Sequence, residues 1–196
     1  MTTDLHARAS KIQMILMDVD GVLTDGRLYN VPDAQGNMAE TKGFDSQDGI
    51  ALQWCHLLGI KTGVISGRVS PATAERARQT KMAYVYQGHT EKIPILEEIL
   101  KDSQIPKEEI AYIGDDLTDV VIMHRVGLAI ATANARPEVK REAHYVTDVP
   151  GGKSAVREAI ELILRAKGQW EQILAKYELT PFQADAAGVL DQMKQG

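Results

Sequence analysis

Hydrophobic and polar positions along the chain alternate between short apolar runs and longer amphipathic stretches. Lys11 to Val19, KIQMILMDV, is an apolar run ending on an acid, the pattern of a strand buried on both faces of a parallel sheet. Further short strands are predicted over Lys61 to Ile65, Ala83 to Tyr86, Ile110 to Ile113, Leu128 to Ile130, and at Tyr145 and Val146. Helices are predicted between them. One runs from Asp48 to Leu58, with Ile50, Trp54, Leu57 and Leu58 on one face and Gly59 as its stop. Another opens at Ser70-Pro71, with serine as N-cap and proline at the first helical position. Two more cover Thr90 to Lys101 and Leu117 to about Arg125, and a last helical stretch runs from Lys153 to about Tyr177, weakening after Gly168. Strands alternating with helices predict an α/β fold, with a doubly wound (Rossmann-like), mostly parallel sheet and helices on both faces.

One segment interrupts that order. Within Arg27 to Lys42, RLYN and MAETK flank the turn-forming VPDAQGN, which predicts a β-hairpin protruding from the first crossover. An isolated hairpin is marginal in water, so this one is expected to pair with something. No other segment has the size of a second domain. The expectation is a single domain over 1–178, the hairpin at about 27–42, no cap domain, and a C-terminal tail over 179–196 that mixes Pro, Gly, Ala and acids.

Composition narrows the setting. A chain of 196 residues, 44% hydrophobic and 25% charged, is an ordinary globular protein able to bury a core unaided. The net charge of −5 offers no basic footprint for nucleic acid. No apolar run approaches the ~20 residues of a membrane span, and Met1 to Ser10 lacks the apolar centre of a signal peptide. The single cysteine, Cys55, excludes an internal disulfide and agrees with a reducing cytoplasm. A cytoplasmic protein without nucleic-acid or membrane partners is expected.

Two of the predicted strands end in acids. The first gives Asp18-Val19-Asp20-Gly21, the fourth Gly114-Asp115-Asp116-Leu117-Thr118-Asp119. In an open α/β sheet, ligands bind beyond the carboxyl ends of the strands, at the switch point. If the two strands are neighbours, these carboxylates converge, and unpaired they repel one another. A divalent cation resolves the conflict, and oxygen ligands beside a phosphate point to Mg²⁺. Asp18 is then placed to attack phosphorus, and Asp20 to protonate the leaving alkoxide and later activate water. Gly21 lets the chain turn back sharply beside the phosphate. Taken singly, these acids also read as turn and helix-start residues, which the helix dipole favours.

At these residues the chain resembles the haloacid dehalogenase superfamily. DVDGVLTDG at Asp18 to Gly26 matches its first motif, GVISGR at Gly63 to Arg68 the second, Lys92 in YQGHTEK the third, and GDDLTD at Gly114 to Asp119 the fourth. The resemblance implies Asp18 as nucleophile and Asp20 as acid and base. It implies that Ser66, Gly67 and Lys92 hold the phosphoryl group. It also implies Mg²⁺ on Asp18, the Asp20 carbonyl and Asp115, with Asp116 and Asp119 supporting nearby. With only the hairpin inserted, the chain is similar to the capless subgroup, and over about Ile12 to Ala166 to its members acting on sugar-acid phosphates. KGFDSQDGIALQ, YQG and GGKSAVRE carry that likeness, although Ser154 stands where the pattern usually has glycine. This implies a small phosphorylated sugar acid as substrate and a homotetramer joined through the hairpins, with neighbouring subunits helping to cover each site.

Arg68 suits the carboxylate of such a substrate, which a guanidinium can grip bidentately. The related nononate 9-phosphate phosphatases often have an acid in its place, so the resemblance implies an octulosonate 8-phosphate over a nononate 9-phosphate or another small phosphorylated acid, and a helix-surface arginine is the plain alternative. A non-catalytic oligomerising domain is the reading of another class, and the full set of motif residues argues against it. Asp45 and Asp48 read as turn and N-cap residues, Trp54 and Cys55 as core, His56 and His124 as structural, and His89 as near the pocket.

Overall fold

The computed structural model describes residues 2–179. The predicted tail over 179–196 therefore lies, beyond its first residue, outside the described residues. The elements in chain order are α1 (Thr3–Ala9), β1 (Met14–Met17), β2 (Tyr29–Pro32), β3 (Met38–Thr41), α2 (Ser46–Leu57), β4 (Lys61–Ser66), α3 (Pro71–Gln79) and β5 (Tyr84–Gln87). They continue with α4 (Ile93–Ser103), β6 (Ile110–Gly114), α5 (Leu117–Met123), β7 (Leu128–Ala131), α6 (Pro137–Glu142), β8 (Tyr145–Val146), α7 (Ala155–Ala166) and α8 (Trp170–Lys176).

Six strands form one parallel sheet in the order β5-β4-β1-β6-β7-β8. The chain leaves β1 in one direction for β4 and β5, then returns to the other side of β1 for β6, β7 and β8. This makes the gap between β1 and β6 the switch point, where a doubly wound sheet opens a crevice. All four residues of β1 are buried because the strand is central. Its alternation divides the core: Ile15 and Met17 face α2 and α7, while Met14 and Leu16 face α4 and α5. On β6, Ala111 and Ile113 take the first face, Ile110 and Tyr112 the second.

β2 and β3 pair antiparallel as a separate two-stranded sheet, as the turn-forming segment predicted. Its strands are almost wholly exposed, and Leu28, Val31 and Met38 show apolar side chains to solvent.

Several local readings need correction. The buried face of α2 is Asp48, Gly49, Ala51, Leu52, Trp54 and Cys55, whereas Ile50 and Leu57 are exposed. Small residues, not the largest aliphatics, let this helix lie close to its neighbours. Asp45, not Asp48, is the N-cap, accepting from the Gln47 amide at 2.8 Å. Asp48 is buried and accepts from the Arg157 amide at 2.8 Å. Ser70 occupies the N-cap position of α3, but its hydroxyl makes no capping bond. The long C-terminal stretch is two helices, separated at Gly168, whose φ of +66° ends α7. Helices α1 and α6 were not anticipated, being too short to show a full amphipathic period. Ser154 sits at φ +69°, which explains why glycine suits that position, and its hydroxyl donates to Asp45 Oδ2 at 2.8 Å.

Candidate active site

The loops after β1, β4 and β6 bound a cleft of about 320 Å³, into which Asp18, Asp20, Ser66, Gly67, Arg68, Lys92, Asp115 and Asp116 project. Every candidate except Asp119 lines it, and Asp119 lies buried beneath its floor. Adjacent parallel strands produce this convergence. Met17 pairs with Ile113, and the Asp18 amide donates to the Ile113 carbonyl at 3.0 Å, so the residues that follow leave the sheet together.

The turn after Asp18 is tight. The Val22, Leu23 and Thr24 amides all donate to the Val19 carbonyl. Gly21 has φ +86°, and a Cβ there would meet Asp115 Oδ2 at 2.1 Å. Glycine thus serves two needs at once, the left-handed turn and the space for the acid from the next strand. The Gly21 carbonyl accepts from Asn134 Nδ2 at 2.9 Å, and Asn134 Oδ1 accepts from the Gly151 amide at 2.6 Å, which ties this loop to the segments after β7 and before α7.

Asp119 organises the floor. Its Oδ2 accepts from the Asp115 and Asp116 amides at 2.9 and 3.1 Å. Its Oδ1 accepts from Lys92 Nζ at 2.7 Å and from the Tyr112 hydroxyl at 2.8 Å. Lys92 stands at the start of α4, where its charge opposes the helix dipole. Asp119, and Asp18 at 3.3 Å, compensate it. Sequence reasoning missed Tyr112, which lies inside the apolar run IAYIG and carries no local signal. Burial, then Asp119 beside it, pushes the Tyr112 hydroxyl well above its usual range, so it remains a donor.

Asp18, Asp115 and Asp119 each bring a carboxylate oxygen within 4.8 Å of the others. Burial, with Asp119 next in effect, pushes Asp18 up to about 6 even though Lys92 pulls the other way. Burial and crowding by Asp119, Asp18 and Asp116 push Asp115 up to about 8. Asp115 Oδ1 is buried and has no hydrogen-bond partner among the described residues. Lys92 is largely committed to Asp119, so Asp18 and Asp115 are left short of positive charge. An orphaned carboxylate oxygen beside a second crowded carboxylate fits a hard divalent cation. Asp116 stands apart at the rim. It is exposed, and its side chain caps α5 in a reciprocal box with Asp119.

Ser66 ends β4, and its Oγ accepts from the Arg68 amide at 3.2 Å, which turns the SGR segment into the cleft. Arg68 does not stand free: its guanidinium bonds Glu40 of the hairpin, and its Nε lies 3.9 Å from Asp20 Oδ2. The other oxygen of Asp20 is bonded by Lys42, at the end of the same hairpin. Neither Glu40 nor Lys42 was singled out from the sequence, since charged residues on a hairpin read as solvated. His89 contributes no side chain to the cleft, whereas its neighbour Thr90 does.

Comparison with known proteins gives the family. The sequence pattern of the haloacid dehalogenase-like hydrolases matches residues 51–160. The 3-deoxy-D-manno-octulosonate 8-phosphate phosphatase of Yersinia pestis is 38% identical over 169 residues, which are 86% of this chain and 88% of that protein. The structure of the phosphatase of that name from Moraxella catarrhalis, in complex with magnesium ion, phosphate ion and KDO, is 33% identical. It gives a TM-score of 0.84 over 90% of this chain and 99% of that one. The cobalt-bound deoxy-D-mannose-octulosonate 8-phosphate phosphatase from Haemophilus influenzae is 33% identical, with a TM-score of 0.78 over 86% of this chain and 97% of that one.

Proposed function

The chain belongs to the haloacid dehalogenase-like hydrolases and is a phosphoric monoester hydrolase, and from that premise we propose that it hydrolyses 3-deoxy-D-manno-octulosonate 8-phosphate to the free sugar acid and inorganic phosphate. This is a step in making lipopolysaccharide precursors, carried out in the cytoplasm. No helix among the described residues is long and apolar enough to cross a membrane. The observation that carries the proposal is the meeting, in one cleft, of Asp18 and Asp115 with Lys92, Ser66 and Arg68.

In this reading Asp18 Oδ attacks phosphorus as the ester P–O bond breaks, giving an aspartyl-phosphate. Asp20 gives its proton to the departing alkoxide. Asp20 then takes a proton from the water that attacks the same phosphorus, and Asp18 is released as a carboxylate. Ser66, the Gly67 backbone and Lys92 hold the phosphoryl oxygens, and Arg68 takes the substrate carboxylate. Asp18, the Asp20 carbonyl and Asp115 are the residues to hold Mg²⁺, with Asp116 and Asp119 supporting them. When bound, the ion neutralises the charge that makes carboxylate and phosphate repel. The exposed apolar side chains of the hairpin, Leu28, Val31 and Met38, support assembly as a homotetramer through that element.

The test is phosphate release from octulosonate 8-phosphate, with nononate 9-phosphate beside it, in Mg²⁺ and after EDTA. The octulosonate ester is expected to be turned over faster, EDTA to stop the reaction, and Asp18→Asn to lower kcat by at least about 10³-fold. Faster turnover of the nononate ester would sink the substrate, and an active Asp18→Asn the nucleophile.

A further inference from the structure

Asp20 does not rely on its own loop for orientation. Among the described residues, the hydrogen bond its carboxylate accepts comes from Lys42 Nζ, on Oδ1. Lys42 Nζ also lies 3.4 Å from Glu40 Oε1. Arg68 bonds Glu40 through its guanidinium and approaches Asp20 Oδ2 at 3.9 Å. Each cation therefore lies between the same two anions, and the four side chains close a ring of alternating charge. Asp20 and Arg68 come from loops at the carboxyl ends of β1 and β4. Glu40 and Lys42 come from the returning arm of the hairpin.

Lys42 is unusual for its place. It follows a strand that is almost wholly exposed, yet its side chain is only 2% exposed. Lysine is rarely buried unless its charge is matched. Here it runs inward from the hairpin to meet the acid two residues beyond Asp18. Arg68 differs: its side chain is 47% exposed, so a substrate carboxylate can compete with Glu40 for its guanidinium. Once it does, Lys42 is the cation still holding Asp20.

We propose that Lys42 is a positioning residue for proton transfer, fixing the Asp20 carboxylate against the leaving oxygen and making that placement depend on the hairpin. The inference rests on the reading of Asp20 as proton donor. With Oδ1 engaged by Lys42, Oδ2 is the oxygen left to carry the proton. As the ester P–O bond breaks and the bond from Asp18 to phosphorus forms, that proton passes to the alkoxide, and Asp20 is left as a carboxylate facing the ammonium. Proton transfer needs heavy atoms within about 2.6–3.2 Å, a range that a freely rotating side chain at a cleft mouth seldom satisfies.

The step that depends on Lys42 is the protonation of a poor leaving group. The experiment compares leaving-group release in a single turnover, where the later work of Asp20 as base toward water, common to both esters, does not enter. An alkyl ester, octulosonate 8-phosphate, is set beside p-nitrophenyl phosphate, whose leaving group departs without a proton. Both are measured on the Mg²⁺-loaded full chain. Lys42→Met is expected to lower the release rate for the alkyl ester about 10²-fold, at the low end of a general acid's contribution. It should leave the release rate for p-nitrophenyl phosphate within about threefold, because that ester bypasses the step. Lys42→Arg, which keeps a cation, should recover part of the alkyl-ester rate. Equal losses on both esters, or a change confined to KM, overturn the inference. Asp20→Asn separates this result from the parent reading. If Asp20→Asn discriminates between the esters and Lys42→Met does not, only the role of Lys42 falls. If Asp20→Asn does not discriminate, the proton-donor assignment falls with it. Should Lys42→Met fail to fold, Glu40→Gln carries the test by loosening the same ring. A several-fold loss selective for the alkyl ester supports the inference, and an unselective one overturns it.

Discussion

Two lysines hold acids of the site, Lys92 within the cleft and Lys42 from the hairpin, and their surroundings differ. Lys92 rises from the floor, bonded to Asp119 in the core between the sheet and α4. Lys42 reaches in from the hairpin, bonded to Asp20 in a loop. Both side chains are 2% exposed, but Asp119 is fully buried whereas Asp20 and Glu40 keep about a fifth of their surface in solvent. The floor is thus bound to the fold's stability, while the hairpin side can be altered with the core intact. A phosphatase without a cap must find its cover outside the sheet, and in the proposed mechanism the ring around Asp20 is where the hairpin meets the chemistry.

The sharpest way to break the comparison is to remove the floor cation. Lys92→Met leaves Asp119 as an uncompensated buried carboxylate, which costs about 3–5 kcal/mol. Urea unfolding should show that loss, together with loss of phosphatase activity. Adding Asp119→Asn should return part of the stability and none of the activity. If Lys92→Met is as stable as the parent, the floor is not the structural keystone its burial implies.

A second contrast sets core against hairpin. Ile113 is fully buried on β6, two residues before Asp115, and Ile113→Ala should cost about 2–5 kcal/mol. Val31 is 48% exposed on β2, and Val31→Lys should shift the stability of the folded subunit by no more than about 0.5 kcal/mol. If the proposed tetramer forms through the hairpins, the same Val31→Lys lowers the mass in solution from four chains toward one, measured by light scattering. A parent that is itself a monomer, or a tetramer that the substitution leaves unchanged, would overturn assembly through this element.

The floor was the more legible region in the sequence, for a physical reason. An apolar run that ends on an acid announces both a buried strand and a carboxylate at its carboxyl end, so Asp18 and Asp115 could be paired before any geometry was known. Doubly wound order followed from the alternation of elements. What stayed hidden depends on direction, which periodicity does not encode. Tyr112 sits among aliphatics and shows its hydroxyl only when α5 packs over it. Lys42 and Glu40 look like solvated hairpin charges until the hairpin's base is seen against Asp20. The wrong face was read for α2 because Ile50 and Leu57 outweigh Gly49, Ala51 and Cys55 in hydrophobicity, though the small residues fit the closer contact.

Asp48 lies at the joint between the two regions, in the first turn of α2, where the chain re-enters the core from the hairpin. Burial pushes its carboxyl up to about 7, with Asp45 adding to the shift and the Arg157 amide and Arg76 opposing it. Its Oδ2 is buried without a hydrogen-bond partner among the described residues. A carboxyl raised in the folded state favours the protonated form, so its contribution to stability is complete below the usual value of 3.8 and is lost as pH rises through about 7. Between those values the unfolded chain has released the proton and the folded one has not, and the slope is at most about 1.4 kcal/mol per pH unit. Asp48→Asn should therefore flatten the fall in Tm across that window, measured with EDTA present so that cation binding does not contribute. It should leave the trend above pH 8 unchanged. A parallel curve for the variant would mean that Asp48 is ionised in its pocket and that the joint holds a paired charge after all.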